Sequence, residues 1–214
     1  MRILSFDIGI KNLAFCDCDI HADVVSQKNI GLEKGIMLHE WDVLDISNKS
    51  GTKGNNINEH TPRLLHMLNT LFAKEKLSLY SAIVIENQPS LKNPIMKSIQ
   101  MIVFTFFHMM KLFYPDDACY EVHLISASNK IKVLHFLPPP DKKTIEEIMQ
   151  IKCPDTKKGY KYNKTLAKQL ATHMMNTNIV DTQSYSDTNA QNIQKKDDLA
   201  DCLLQACIFA LQNK

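Results

Sequence analysis

The chain opens on an apolar run of strand type, Arg2-Ile3-Leu4-Ser5-Phe6-Asp7-Ile8-Gly9, that carries one acid near its end. A carboxylate in such a run is costly to bury unless a cation pairs with it. Any fold built on this strand must therefore bring a counter-charge to Asp7, or leave Asp7 as a strand cap. A metal ion is one such counter-charge. Gly9, Lys11 and Asn12 follow, and then a second apolar run from Leu13 to Cys18.

Strand-like runs recur at 2–8, 12–20 and 36–44, with a polar turn joining the second and third, which predicts an antiparallel meander. Residues 45–58 are rich in Ser, Asn, Gly and Lys and read as a loop. Leu64, Leu65, Leu68, Leu71 and Phe72 give helical spacing within 59–77. Ala82-Ile83-Val84-Ile85-Glu86 reads as a buried strand that ends in a second acid, ahead of Asn87-Gln88-Pro89. A long helix is predicted over 94–113, apolar on more than one face, which suits either a central core helix or a subunit seam.

Tyr120 to Ser126 reads as a further strand, and Pro138-Pro139-Pro140 stops regular structure. Lysines crowd the span from Lys130 to Lys168 with few acids between them. Such a run is usually a solvated surface; its functional reading is a phosphate-tracking patch, with Tyr160 and Tyr162 available to pack on a sugar or base. Residues 163–176 read as helix and 178–194 as loop. A loop is also expected at 137–143.

The last helix, 195–211, is the second informative stretch. Leu199, Leu203, Ala206, Cys207 and Ala210 share one face, as packing on a sheet requires. Asp197, Asp198 and Asp201 crowd its first turns, where the helix dipole favours negative charge. Asp198 and Asp201, at i and i+3, lie about 60° apart around the axis. Asp197 and Asp201, at i and i+4, are equally neighbours, so spacing does not choose between Asp197 and Asp198.

Composition narrows the partners. The net charge is only +2 over 214 residues, so any nucleic-acid affinity comes from where charge sits. Arginine occurs only at Arg2 and Arg63, which favours recognition of backbone and shape over base edges. Cys16, Cys18 and His21 have part of a zinc spacing, but no second pair completes it, so the six cysteines read as reduced thiols of an intracellular protein. No signal peptide or presequence pattern precedes the first strand. The longest apolar stretch, 99–107, is too short to span a bilayer.

Acids at two strand ends and at one helix start can converge over one sheet edge. Four carboxylates that close raise one another's pKa unless a cation intervenes. Two Mg²⁺ ions, with their preference for oxygen, resolve the conflict and can activate water for phosphodiester hydrolysis.

At this point the chain resembles a known family. Phe6-Asp7-Ile8-Gly9-Ile10-Lys11-Asn12 with Ala14-Phe15-Cys16 resembles the opening of RuvC-type Holliday junction resolvases, in particular the mitochondrial and poxvirus-like branch of large DNA viruses. Ile85-Glu86-Asn87-Gln88 is similar to that branch's second acidic motif, and Lys195-Lys196-Asp197-Asp198-Leu199-Ala200-Asp201 to its C-terminal motif. The resemblance covers nearly the whole chain in order.

It implies an α/β, RNase H-like fold in one domain, 1–214, with a mixed five-stranded sheet of three antiparallel strands followed by parallel ones, flanked by helices. It also implies a homodimer that makes paired symmetric nicks in four-way DNA junctions. Asp7, Glu86, Asp198 and Asp201 become the catalytic metal ligands, so that Asp198 is preferred to Asp197, with two Mg²⁺ per site and Mn²⁺ as a substitute. Ser126, Lys130 and Lys164 match places where the family has basic or polar residues near the scissile phosphate. Lys11, Lys92, Lys130, Lys132, Lys164 and Lys168 are the expected DNA contacts, and helix 94–113 the dimer seam. Leu91 stands alone as a bulky apolar candidate where some relatives carry an aromatic junction wedge. Asp7 lies too near Met1 for a mitochondrial extension, which points to a viral replication site or the host cytoplasm or nucleus. Other readings of the same acids are a nuclease of RNA–DNA hybrids or flaps, and a non-catalytic junction- or RNA-binding module.

Overall fold

A computed structural model describes residues 1–21, 35–47, 56–91, 93–135, 160–176, 179–181 and 197–213. The strands are β1 (Arg2–Asp7), β2 (Leu13–Ile20), β3 (Ile36–Leu44), β4 (Ala82–Asn87), β5 (Glu121–Ser126) and β6 (Val180–Asp181). The helices are α1 (Ile57–Leu71), α2 (Lys74–Leu77), α3 (Pro94–Phe113), α4 (Tyr160–Asn176) and α5 (Asp197–Gln212), with a 3₁₀ segment at Ala127–His135.

All six strands form one sheet in the order β5-β4-β1-β2-β3-β6. β1, β2 and β3 are the expected antiparallel meander, while β4 lies parallel to β1 and β5 parallel to β4. The sheet is therefore mixed as expected, but among the described residues it has six strands rather than five. The extra one, β6, pairs parallel with β3 through Ile36↔Val180 and Met37↔Asp181. It falls in the stretch expected to be loop, because two residues show no alternation that a sequence pattern can carry.

Two cores sandwich the sheet. On one face Ile3, Cys16, Cys18, Trp41 and Val84 pack beneath α4 and α5. On the other, Leu4, Phe6, Phe15, Ile83 and Ile85 pack beneath α1 and α3. Alternation along β1 divides its residues between these layers, as the two-residue period of a strand requires.

The expected helix over 59–77 is broken in two. Phe72 leaves helical geometry at φ −117° and ψ 53°, and its N–H donates to the Leu68 carbonyl. Its ring meets Phe6 and Phe15 edge-on, at centroid distances of 5.5 and 5.3 Å. Edge-on packing of fully buried rings outweighs the continuation of one exposed helical turn. α3 has the predicted bounds. Ile99, Val103, Phe106, Phe107 and Met110 are buried in the second core, whereas Leu112 and Phe113 are 76% and 62% exposed.

Cys16, Cys18, Cys202 and Cys207 are buried free thiols, and burial pushes Cys16 and Cys207 up as acids. Among the described residues no three His, Cys, Asp or Glu side chains form a ready metal cage. No helix among them is long and apolar enough to cross a membrane. The proline run and the lysines at 142–158 lie outside the described residues, as do Lys92, Lys195 and Lys196.

Candidate active site

Strand register brings the first two acids together. β1 and β4 run parallel with Phe6 beside Ile85, which carries Asp7 abreast of Glu86 at the same end of the sheet. Gly9 turns the chain immediately afterwards. A Cβ there would collide with the Asn12 carbonyl, so the tight return into β2 requires glycine. In the next strand over, Asn87 pairs with Ser126, so β5 ends at the same edge and delivers the 3₁₀ segment with Lys130.

α5 supplies the remaining acids, and two contacts fix it to the sheet. The Trp41 Nε1–H on β3 donates to the Leu199 carbonyl at 2.9 Å, holding the first turn of α5 down. The Gln205 Nε2 group donates to the Phe6 carbonyl at 3.0 Å and to the Val84 carbonyl at 3.2 Å. These carbonyls lie one residue before Asp7 and two before Glu86. Gln205 is one helical turn beyond Asp201, so one buried amide ties three acid-bearing elements together.

The acids converge on an ammonium. Lys130 Nζ lies 3.1 Å from Glu86 Oε2, 3.1 Å from Asp201 Oδ2 and 3.5 Å from Asp7 Oδ1. Lys130 is only 5% exposed, Asp7 8% and Glu86 9%. Burial pushes the Glu86 and Asp201 carboxyls above their ordinary values, and the opposing pull of Lys130 does not cancel it. Three carboxylates thus face one buried ammonium, with Asp198 on the same cleft.

Asp197 and Asp198 part company. Asp198 lines the cleft of about 740 Å³ that also contains Asp7, Glu86, Lys130, Lys164 and Asp201. Asp197 instead has each carboxylate oxygen 2.8 Å from a lysine, Oδ2 from Lys164 and Oδ1 from Lys168. Partial burial works against its ionisation, yet the hydrogen bonds from Lys164 and Lys168 prevail and hold it down at about 2. Lys164 also reaches Asp198 at 3.5 Å.

Of the expected DNA contacts, Lys11 is exposed at the cleft and Lys132 is exposed on the 3₁₀ segment. Lys164 and Lys168 are half-buried against Asp197, and Lys130 is buried among the acids. Leu91 is 98% exposed. Sequence reasoning missed Trp41 and Gln205. Gln205 did carry a signal, as a single amide in the otherwise apolar run from Leu203 to Leu211.

The donor set suits an oxygen-preferring divalent cation: four carboxylates, with no imidazole or thiolate among them. Their present spacing is that of a cage around an ammonium, because 3.1–3.5 Å contacts exceed Mg–O distances of about 2.0–2.1 Å.

Residues 3–90 match the family model described as mitochondrial resolvase Ydc2 / RNA splicing MRS1. An uncharacterised protein of Acanthamoeba polyphaga mimivirus is 32% identical over 161 residues, which is 71% of this chain. The chain spans about a third of that relative's length, 35%. The crystal structure of the yeast mitochondrial Holliday junction resolvase Ydc2 superposes with a TM-score of 0.53 at 15% identity, covering 99% of this chain and 83% of the other. The crystal structure of the fowlpox virus Holliday junction resolvase gives 0.50 at 14% identity, covering 100% of both chains. At such identities the two structures speak to the fold.

Proposed function

We propose that this chain, whose residues 3–90 match the Ydc2/MRS1 family model and whose fold is similar to that of the yeast mitochondrial resolvase Ydc2, is a structure-selective endonuclease that resolves four-way DNA junctions. The observation that carries the proposal is the meeting of Asp7, Glu86 and Asp201, from three separate elements, within 3.1–3.5 Å of one point. A merely structural ion pair needs one acid for one lysine. Three acids around one lysine, with Asp198 beside them, form a site whose charge is completed by further cations.

Asp7, Glu86, Asp198 and Asp201 are the residues that would hold two Mg²⁺ ions, or Mn²⁺. Such a pair, when bound, activates a water and neutralises charge on the leaving oxygen of a phosphodiester. Gln205 keeps the acids in register, and Trp41 sets the angle at which α5 offers Asp198 and Asp201. Lys11 faces solvent at the cleft and Lys132 is exposed on the 3₁₀ segment, where an ammonium serves a phosphate as a point charge. Lys164 and Lys168 extend that basic rim along α4.

The outer face of α3 is the seam of the proposed homodimer. Met101, Met109, Leu112 and Phe113 are 40%, 47%, 76% and 62% exposed there, with Leu65 of α1 beside them at 39%. Contiguous exposed apolar surface of this kind marks an interaction site. Two copies joined there give two cleavage centres for the opposed strands of a junction. Met109→Glu should turn the dimer into a monomer in sedimentation velocity and lose the pairing of nicks while leaving each site able to fold. The mimivirus relative supports a setting in large DNA viruses.

The test is a synthetic mobile four-way junction incubated with the full chain and Mg²⁺. Paired symmetric nicks are expected, with linear duplex and RNA–DNA hybrid left intact. Asp7→Asn should bind the junction and cut it slower by at least about 10²–10³-fold, the scale for losing one preorganised electrostatic group. A wild type that binds but never cuts in Mg²⁺ or Mn²⁺ would make the protein a junction-binding module, and preferential cutting of hybrid would make it a different nuclease.

A further inference from the structure

The placement of Lys130 goes beyond a basic residue near DNA. Its ammonium is 5% exposed and has Asp7, Glu86 and Asp201 all within 3.5 Å. These are three of the four residues that the proposed function assigns to metal. An ammonium and a divalent ion compete for those oxygens, since each is attracted to the same lone pairs and the two cations repel. We propose that Lys130 is a built-in counter-ion that holds the acid cluster assembled before metal arrives and competes with metal for it. The inference rests on the metal-site reading of the acids.

Three observations support this role. Three buried carboxylates lie within 3.1–3.5 Å of the one ammonium, and without a cation they would repel one another and take up protons. The 3₁₀ segment at the end of β5 is anchored by Val133 in the core beneath α5, so movement of the ammonium falls to the long Lys130 side chain and leaves the sheet undisturbed. Lys132, two residues on, is exposed, so the segment presents one lysine inward and another outward. Loading the site then swings the Lys130 ammonium from the acids toward the cleft, where a phosphate arrives.

The first measurement uses wild-type full chain. Reductive methylation of lysines, followed by peptide mass spectrometry, reads how accessible Lys130 is in EDTA and in Mg²⁺. Labelling of Lys130 should be slow in EDTA and several-fold faster in saturating Mg²⁺, while Lys132 labels equally in both. Equal rates at Lys130 in both conditions would overturn the proposal.

The second measurement is Mn²⁺ binding by calorimetry. Lys130→Met should bind Mn²⁺ about tenfold or more tightly than wild type, since one nearby charge changes the cation affinity of a carboxylate by one to three decades. Without metal the variant should melt at a lower temperature than wild type, and Mn²⁺ should restore it. Lys130→Arg, which keeps the charge, should bind Mn²⁺ no more tightly than wild type. Unchanged or weaker Mn²⁺ binding in Lys130→Met would overturn the competition while leaving the nuclease reading intact. Failure of wild type and Lys130→Met alike to bind Mn²⁺ would sink both. If Lys130→Met does not fold, the labelling result decides alone.

Discussion

The molecule contains two groupings of acid and lysine within a few residues of one another, and they behave in opposite ways. Around Lys130, three carboxylates share one ammonium, with side chains only 6–15% exposed. Around Asp197, two ammoniums share one carboxylate, with side chains 25–30% exposed. Burial pushes Glu86 and Asp201 up, whereas two lysines bring Asp197 down to about 2. Stoichiometry and burial, not residue type, decide whether a carboxylate here gains or loses by being charged. The first grouping is short of positive charge and invites a further cation. The second is complete in itself, and its lysines are tied to an acid that a phosphate must displace.

The comparison depends on the buried acids being held together by neutral contacts as well as by charge, and Gln205 tests that dependence hardest. Gln205→Leu removes two buried hydrogen bonds, to the Phe6 and Val84 carbonyls, which should cost about 1–3 kcal/mol in chemical unfolding of the full chain. Because these carbonyls flank Asp7 and Glu86, the Mg²⁺ concentration for half-maximal junction cleavage should rise as well. Ile208→Val, buried on the same helix, should cost about 0.5–1.5 kcal/mol and leave that concentration unchanged. If both variants shift metal dependence alike, Gln205 is packing and not a positioning residue.

The opposite shifts also give opposite pH responses in metal-free protein. The folded values of Glu86 and Asp201 lie above their ordinary 4.5 and 3.8, so the folded state holds those protons more tightly. Their contribution is fully present below the ordinary values and is lost as pH rises through the raised ones. Asp197 lies below 3.8, so its contribution is present above that pH and fades as pH falls toward about 2. Thermal unfolding in EDTA should therefore show stability declining with rising pH on the alkaline side of pH 4.5. Glu86→Gln should flatten that decline, and Asp197→Asn should flatten the loss on the acid side. A Glu86→Gln profile parallel to wild type would mean the buried grouping is already neutralised.

The two groupings were unequally legible in the sequence. Asp7 and Glu86 could be read because each ends a strand of strong apolar character, and parallel pairing of those strands leaves no choice but proximity. The antiparallel meander was legible for the same reason. Asp197 and Asp198 could not be told apart by spacing, since both neighbour Asp201; only the third dimension, with α4 alongside, sends one to the lysines and the other to the cleft. Lys130 reads in the sequence as a phosphate-facing lysine, at the head of a lysine-rich run, because a sequence records charge but not burial. The break at Phe72 was hidden by a helical pattern that continues unbroken through it, and β6 is too short to have a pattern at all. Gln205 was visible as an odd polar residue, but its two acceptors are 199 and 121 residues away.

The smallest expected effect belongs to the exposed grouping, and it discriminates best. Asp197→Asn removes the partner that takes Lys164 Nζ and Lys168 Nζ at 2.8 Å each. Ion pairs this exposed contribute about 0.2–1 kcal/mol, so stability at neutral pH should fall by less than about 1 kcal/mol. Junction binding should instead tighten, by less than about tenfold, because Lys168 then leaves no Asp197 carboxylate, and Lys164 one carboxylate fewer beside its 3.5 Å contact with Asp198, before meeting a phosphate. Each lysine that newly engages a phosphate should steepen the dependence of log affinity on log salt by about 0.9. Fluorescence anisotropy across a KCl series in EDTA measures both quantities. An unchanged affinity and slope would show that Lys164 and Lys168 serve the fold of α4 and α5 alone, and would move the DNA path toward Lys11 and Lys132.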